Sequence, residues 1–203
     1  MMKYLSLIVL FILMSCGNKE DILLPKSDKT IVSNIEDHSP IYIFFRTNDK
    51  DTLTEVNRKN SIITTNWIFN IDKRLPLRIV IPQVMKLQDK KRKEKAHKNE
   101  KAENYYSYAD SIGKNMAFIP FTKVYYKLEK PSGTSIFFNK KNEILVNNVI
   151  VKQEELEGYL ENKADKSTLY QLCFDKEMSF DSYLKNIIFL HSIKLETNEN
   201  FIF

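Results

Sequence analysis

The chain has 203 residues, with 31 lysines and arginines against 26 acids, a formal charge of +5 and a pI near 9.0. Four glycines in that length argue against glycine-rich phosphate loops and against a barrel with many tight turns. The basic excess is local: Lys86 to Lys101 holds eight basic and three acidic residues, which excludes a broadly cationic nucleic-acid-binding surface.

The N-terminus reads as a targeting segment. Lys3 precedes an apolar run, Leu5 to Met14, which is too short for a bilayer-crossing helix of about 20 residues. Leu13, Ser15 and Cys16 resemble the bacterial lipobox. That resemblance implies removal of residues 1–15 as a signal peptide, acylation of Cys16 with palmitate-type chains, and attachment to a lipid bilayer. Cys173 would then have no cysteine partner, so packing rather than a disulfide must hold the fold. Lys19, Glu20 and Asp21 resemble the surface-export signal of lipoproteins in the Bacteroidota, and the expected location is the cell envelope, at the periplasmic face or the cell surface of the outer membrane. Residues 16–39 read as a polar tether.

Residues 40–130 read as an N-terminal α+β region. Ile41 to Phe45 is an apolar strand, and Asp49-Lys50-Asp51 a turn. Thr52 to Val56 is a second strand or short helix. Ser61 to Ile71, rich in β-branched and aromatic residues, is a strand. Asp72 to Pro76 is a turn. The composition after Pro82 predicts a basic helix over about 83–108, with Leu77 to Ile81 extended before it. Ala117 to Leu128 is a strand interrupted by Pro120, and Lys130-Pro131-Ser132-Gly133 marks a domain boundary.

Residues 131–203 are the best patterned. Ser135 to Phe138 is a strand, Ile144 to Val146 pairs back as a hairpin, and Val149 to Val151 follows. Gln153 to Asn162 is a short helix, Leu169 to Phe174 a strand, Phe180 to His191 an amphipathic helix and Asn198 to Phe203 an edge strand.

This order resembles the soluble domain of ExbD/TolR-type biopolymer-transport proteins. The matching pieces are Glu143 to Val151, Glu154-Glu155-Leu156 and Phe174 to Phe180, with the Tyr183 to Leu190 helix after them. A second echo lies upstream. With Asp72-Lys73 aligned on Asp175-Lys176, Trp67, Phe69 and Ile71 fall on Tyr170, Leu172 and Phe174. Leu77, Ile81, Val84, Met85 and Leu87 then fall on Phe180, Leu184, Ile187, Ile188 and Leu190, which suggests a divergent first copy of the unit. The expected fold class is therefore α+β, a small sheet-and-helix module preceded by a related region. The resemblance implies a partner-binding domain that admits a homodimer. It does not carry over the proton-handling membrane span, because the apolar N-terminal run contains no acid.

Catalytic and metal-binding patterns are sparse. His38, His97 and His191 show no ligand spacing, so no metal and no cofactor are expected. Cys173 on its apolar strand reads as a buried thiol rather than as a nucleophile served by His191. Asp72 and Asp175 are the candidate functional acids, with capping of the following turn or helix as their simpler role. Lys90, Lys91, Arg92, Lys93, Lys95 and Lys98 form the candidate basic surface, which would meet an anionic headgroup, a cell-wall phosphate or an acidic partner. The expected function is that of a membrane-anchored, non-enzymatic envelope lipoprotein, an accessory of a transport or energy-coupling assembly. Its expected partners are envelope transport proteins or peptidoglycan, and not nucleic acid. The rival expectation is a surface-displayed lipoprotein with an unrecognised hydrolase or adhesive function.

Overall fold

The computed structural model describes residues 21–95, 99–163 and 169–203. Cys16, His97 and Lys98 lie outside them, as does the whole expected signal peptide.

The period-two runs become strands in two mixed sheets. Lys26–Ser27 (β1), His38–Thr47 (β2), Thr52–Asn57 (β3), Asn66–Ile71 (β4), Asn104–Asp110 (β5) and Met116–Pro120 (β6) form the first. Its order is β3-β2-β4-β5-β6, with β1 beside the far end of β5. Tyr125–Lys127 (β7), Ser135–Phe138 (β8), Ile144–Val146 (β9), Val149–Val151 (β10), Gln171–Phe174 (β11) and Glu199–Ile202 (β12) form the second, in the order β10-β9-β8-β11-β12-β7. Three α-helices, Leu77–Lys93 (α1), Leu156–Lys163 (α2) and Phe180–Ser192 (α3), complete the described residues, and the fold is a mixed α and β one.

The two sheets are built alike. In the first, β2 and β3 form an antiparallel pair, β4 lies parallel to β2, and α1 carries the chain to β5, parallel to β4. In the second, β8 and β9 are antiparallel, β11 lies parallel to β8, and α3 carries the chain to β12, parallel to β11. Even the turns into the helices match. Asp72 Oδ1 accepts from the Arg74 N–H and Asp175 Oδ1 from the Glu177 N–H. The Leu75 N–H donates to Asp72 O and the Met178 N–H to Asp175 O. A short polar side chain closing on the backbone two residues ahead stops the strand and aims the helix.

The two turns also bind each other. The Leu77 N–H donates to Met178 O (2.9 Å), and the Phe180 N–H donates to Leu75 O (2.8 Å). The Arg78 N–H donates to Lys176 O (2.8 Å) and the Asp181 N–H to Lys73 O (3.0 Å), around a bridge between Pro76 and Ser179. Each bond maps onto its mate by the spacing that separates Asp72 from Asp175. Reciprocal contacts of this kind mark a local two-fold relation, the geometry of a symmetric dimer built inside one chain. One core of buried side chains runs through both units, including Trp67, Phe69 and Leu87 on one side and Leu172, Phe174 and Leu190 on the other.

The structure corrects several expectations. The basic helix does not span 83–108. It runs from Leu77 to Lys93, and Asn104–Asp110 is strand β5. Pro82 lies inside the helix, at a cost of about 3 kcal/mol in an isolated helix. Burial of Leu77, Val80, Ile81, Val84 and Leu87 along one face outweighs it. Tyr106 and Tyr108 leave the helix because a strand buries both rings in the core. The strand expected from Ser61 begins only at Asn66, since Ser39 Oγ accepts from the Ile62 N–H and holds the preceding residues in turns. The expected tether is ordered from residue 21 onward. Leu23 bonds to the Asp72 side chain and to the Lys73 N–H, β1 pairs with β5, and Ile35 packs with Ile68 and Phe118. The last strand is no edge, because β7 pairs with it opposite β11. The chain passes from the first sheet to the second between Pro120 and Tyr125, ahead of the Lys130–Gly133 break.

Candidate functional site

The chemistry on offer gathers where the two units meet, at the C-terminal end of α3. Strand β11 turns Leu172 toward α3, and helical spacing brings Tyr183, Ile187, Leu190 and His191 onto the facing side. Asn198 and Asn200, at the start of β12, form the floor. Residues 120–124, the crossing between the sheets, form the opposite wall. Together they enclose a cavity of about 280 Å³.

One rim of this cavity carries a paired imidazole. Lys194 takes a left-handed φ of 55°, and the Leu195 N–H donates to Leu190 O. That turn returns Glu196 to the helix end, where His191 Nδ1 meets its carboxylate at 2.6 Å. Glu196 therefore holds the ring's orientation.

Behind the cavity lies a chain of buried hydroxyls. Tyr106 Oη and Tyr126 Oη are 2.6 Å apart, and Tyr126 Oη and Tyr183 Oη 3.1 Å apart. Asn200 Nδ2 donates to Tyr183 Oη at 3.0 Å. Burial pushes all three phenols well above their ordinary ionisation range, so each stays protonated. The partners are neutral side chains from β5, β7, α3 and β12, so the chain ties both units together without burying a charge.

The residues singled out from the sequence divide between surface and interior. Asp72 is buried. Burial raises its carboxyl, but the Arg74 guanidinium, the Arg74 and Leu23 N–H groups and the Arg74 charge pull harder, and it lies below its ordinary range. Asp175 accepts from the Glu177 and Lys140 N–H groups. Both acids cap turns. The helix caps are others: Pro76 starts α1 with no side-chain bond, and Ser179 caps α3 through the Ser182 N–H.

The expected basic surface is split as well. Lys90, Lys93 and Lys95 are exposed, and Lys93 pairs with Asp89. Lys91 points inward, a correction to the surface reading. Its Nζ donates to Thr65 O, Glu103 O and Asn104 Oδ1, 5.0 Å from the Trp67 ring centre. Burial pulls its ammonium down to about 8. Arg92 donates to Thr122 O and Val124 O and covers the Tyr125 ring. The helix's inner side thus anchors the crossing between the sheets, and only its outer side remains a cationic face.

Cys173 is buried, and burial pushes its thiol up to about 11. Its neighbour Leu172 lines the cavity, so alternation along β11 sends Cys173 to the other face, away from His191. Among the described residues no cluster of three His, Cys, Asp or Glu has a geometry to hold a metal ion.

Sequence reasoning missed Phe121, the three tyrosines, Asn200 and Glu196. The alignment of Asp72 on Asp175 was the signal that could have found part of the site, because it sets Gln88 against His191. No protein family, no curated protein and no solved structure matches the chain.

Proposed function

We propose that this protein is a lipid-anchored, non-enzymatic binding component of the bacterial envelope, an accessory of a transport or energy-coupling assembly. The observation that carries the proposal is the Lys3, Leu5–Met14, Leu13-Met14-Ser15-Cys16 sequence, with its resemblance to a lipobox. The fold adds a constraint on how such an anchor would work. Because Leu23 is already bonded to Asp72 and Lys73, only residues 17–22 separate Cys16 from the body. Six extended residues reach at most about 20 Å, so the body would sit against the headgroups rather than on a long leash. No helix among the described residues is long and apolar enough to cross a membrane.

The resemblance to the soluble ExbD/TolR domain is supported by the order of β8, the β9–β10 hairpin, α2, β11, α3 and β12. On this reading the second unit is the recognition module, the first a divergent copy of it, and the partner an envelope transport protein or peptidoglycan. The rival reading, an exported hydrolase, has one observation in its favour, the Glu196-oriented His191 on a cavity wall.

The anchoring is tested by mass spectrometry of the N-terminal peptide purified from membranes of the native host. An acylated Cys16 as first residue is expected, together with release of Cys16→Ala from the membrane. A peptide that retains Met1 would overturn the proposal. Crosslinking in intact cells tests the binding role, with an envelope protein or peptidoglycan as the expected partner.

A further inference from the structure

The chain of buried hydroxyls behind the cavity has more hydrogens to give than it uses. The O–H groups of Tyr106, Tyr126 and Tyr183 and the two N–H bonds of Asn200 make five donors. The contacts Tyr106–Tyr126, Tyr126–Tyr183 and Asn200–Tyr183 use three of them, so two hydrogens are left over. Tyr126 stands in the middle and is bonded on both sides. Tyr106, Tyr183 and Asn200 all line the cavity.

Asn200 also brings an acceptor. The residue is 2 % exposed, and while its Nδ2 donates to Tyr183 Oη, its Oδ1 has no hydrogen-bond partner. That oxygen is not sealed in protein, since Gln171 Oε1 is the one such atom among the described residues, so it opens on the cavity that Asn200 lines. Polar groups on buried residues are stable when something bonds them. Turning the amide over exchanges Oδ1 for Nδ2 at the cavity and leaves the surplus of donors as it is.

We infer that this cavity binds a small aliphatic carboxamide. Its carbonyl oxygen accepts a hydrogen that the tyrosine chain cannot place, and its N–H donates to Asn200 Oδ1. A carboxamide offers that acceptor and that donor side by side and without charge. Leu172, Ile187 and Leu190 supply apolar walls for an aliphatic body. The volume, about 280 Å³ against roughly 10–15 Å³ for one water, admits several heavy atoms. The charged groups in the lining are the Glu103 carboxylate, bonded by Tyr105 Oη, the Glu196 carboxylate, bonded to His191, and the Lys123 ammonium, so an anion gains no advantage there. The site is independent of the lipid anchor, since all its residues belong to the folded body.

The test is a titration of the methyl-labelled full chain with isovaleramide, followed by NMR. Isovalerate, isobutyl methyl ketone and isoamyl alcohol keep the branched body and change the head group. Saturable binding of the amide below about 10 mM is expected, with shifts concentrated on the Leu172, Ile187 and Leu190 methyls and on the Asn200 side-chain amide. Each analogue should bind at least about fivefold more weakly, because none offers an acceptor and a donor side by side. Ile187→Phe fills the cavity and should abolish amide binding while leaving the fold intact. Should that variant fail to fold, the location of the wild-type shifts decides alone. Absence of saturation, shifts centred elsewhere, or an analogue that binds as tightly as the amide would overturn the inference.

Discussion

Asn66 to Tyr106 and Tyr170 to Asn200 run through the same sequence of events. A strand ends at an aspartate-closed turn, a helix follows, and a second strand returns parallel to the first. They diverge in what each helix packs against at its C-terminal end. In the first unit Gln88 and Lys91 reach across to backbone carbonyls and the Phe121 ring fills the space between helix and sheet. In the second unit His191 turns to Glu196 instead, and a cavity lined also by Tyr106 and Phe121 lies beside that helix end. The two units share their turns, where local hydrogen bonds demand particular residues, and differ in the packing at the helix ends.

The sharpest way to break this comparison is to exchange the packing of the two units. Phe121→Ala removes a ring held by Phe69 and Tyr106 and should cost about 3–5 kcal/mol in chemical denaturation. Tyr125→Ala, at a half-exposed aromatic of β7, should cost under about 1 kcal/mol, because it loses only an exposed ring and one cation–π contact. Equal losses would mean that the Phe121 ring does not carry the core packing its contacts with Phe69 and Tyr106 indicate.

The paired aspartates come next. Asp72→Asn removes a buried carboxylate that accepts from Leu23, Arg74 and the Arg74 guanidinium, and should cost about 2 kcal/mol at neutral pH. Asp175→Asn keeps an acceptor at a more exposed turn and should cost under about 1 kcal/mol. The native Asp72 carboxyl lies below its unfolded value of 3.8. Its contribution is therefore present above that pH and lost as the pH falls through the lower native value, and Asp72→Asn should flatten the stability curve there.

Tyr126→Phe sharpens the comparison at the shared boundary. It removes the middle hydroxyl between Tyr106 and Tyr183, and a loss of about 1–2 kcal/mol is expected by denaturation.

The smallest effect concerns Lys91, which belongs to the first unit alone. Its native value of about 8 lies below the unfolded 10.5, so the unfolded chain binds more protons between those limits. Stability should rise with pH across that window, by on the order of 1 kcal/mol after screening by solvent, and Lys91→Met should remove the rise.

The sequence by itself determined the local pieces: the apolar strand around Ile41, the hairpin after Phe138, the amphipathic stretch Phe180 to His191 and the two Asp-Lys turns. These depend on alternation, helical spacing and side-chain-to-backbone bonds over a few residues, all legible without neighbours from far along the chain. The start of α1 was not legible, because Pro82 reads locally as a break and only the buried face from Leu77 to Leu87 outweighs it. The direction of Lys91 was not legible either, since its oxygen partners lie on Thr65, Glu103 and Asn104. The cavity was wholly a matter of tertiary structure. Its walls come from Tyr106, the 120–124 crossing, Leu172, the C-terminal part of α3 and Asn200, segments far apart in the chain that only the packing of both units brings together.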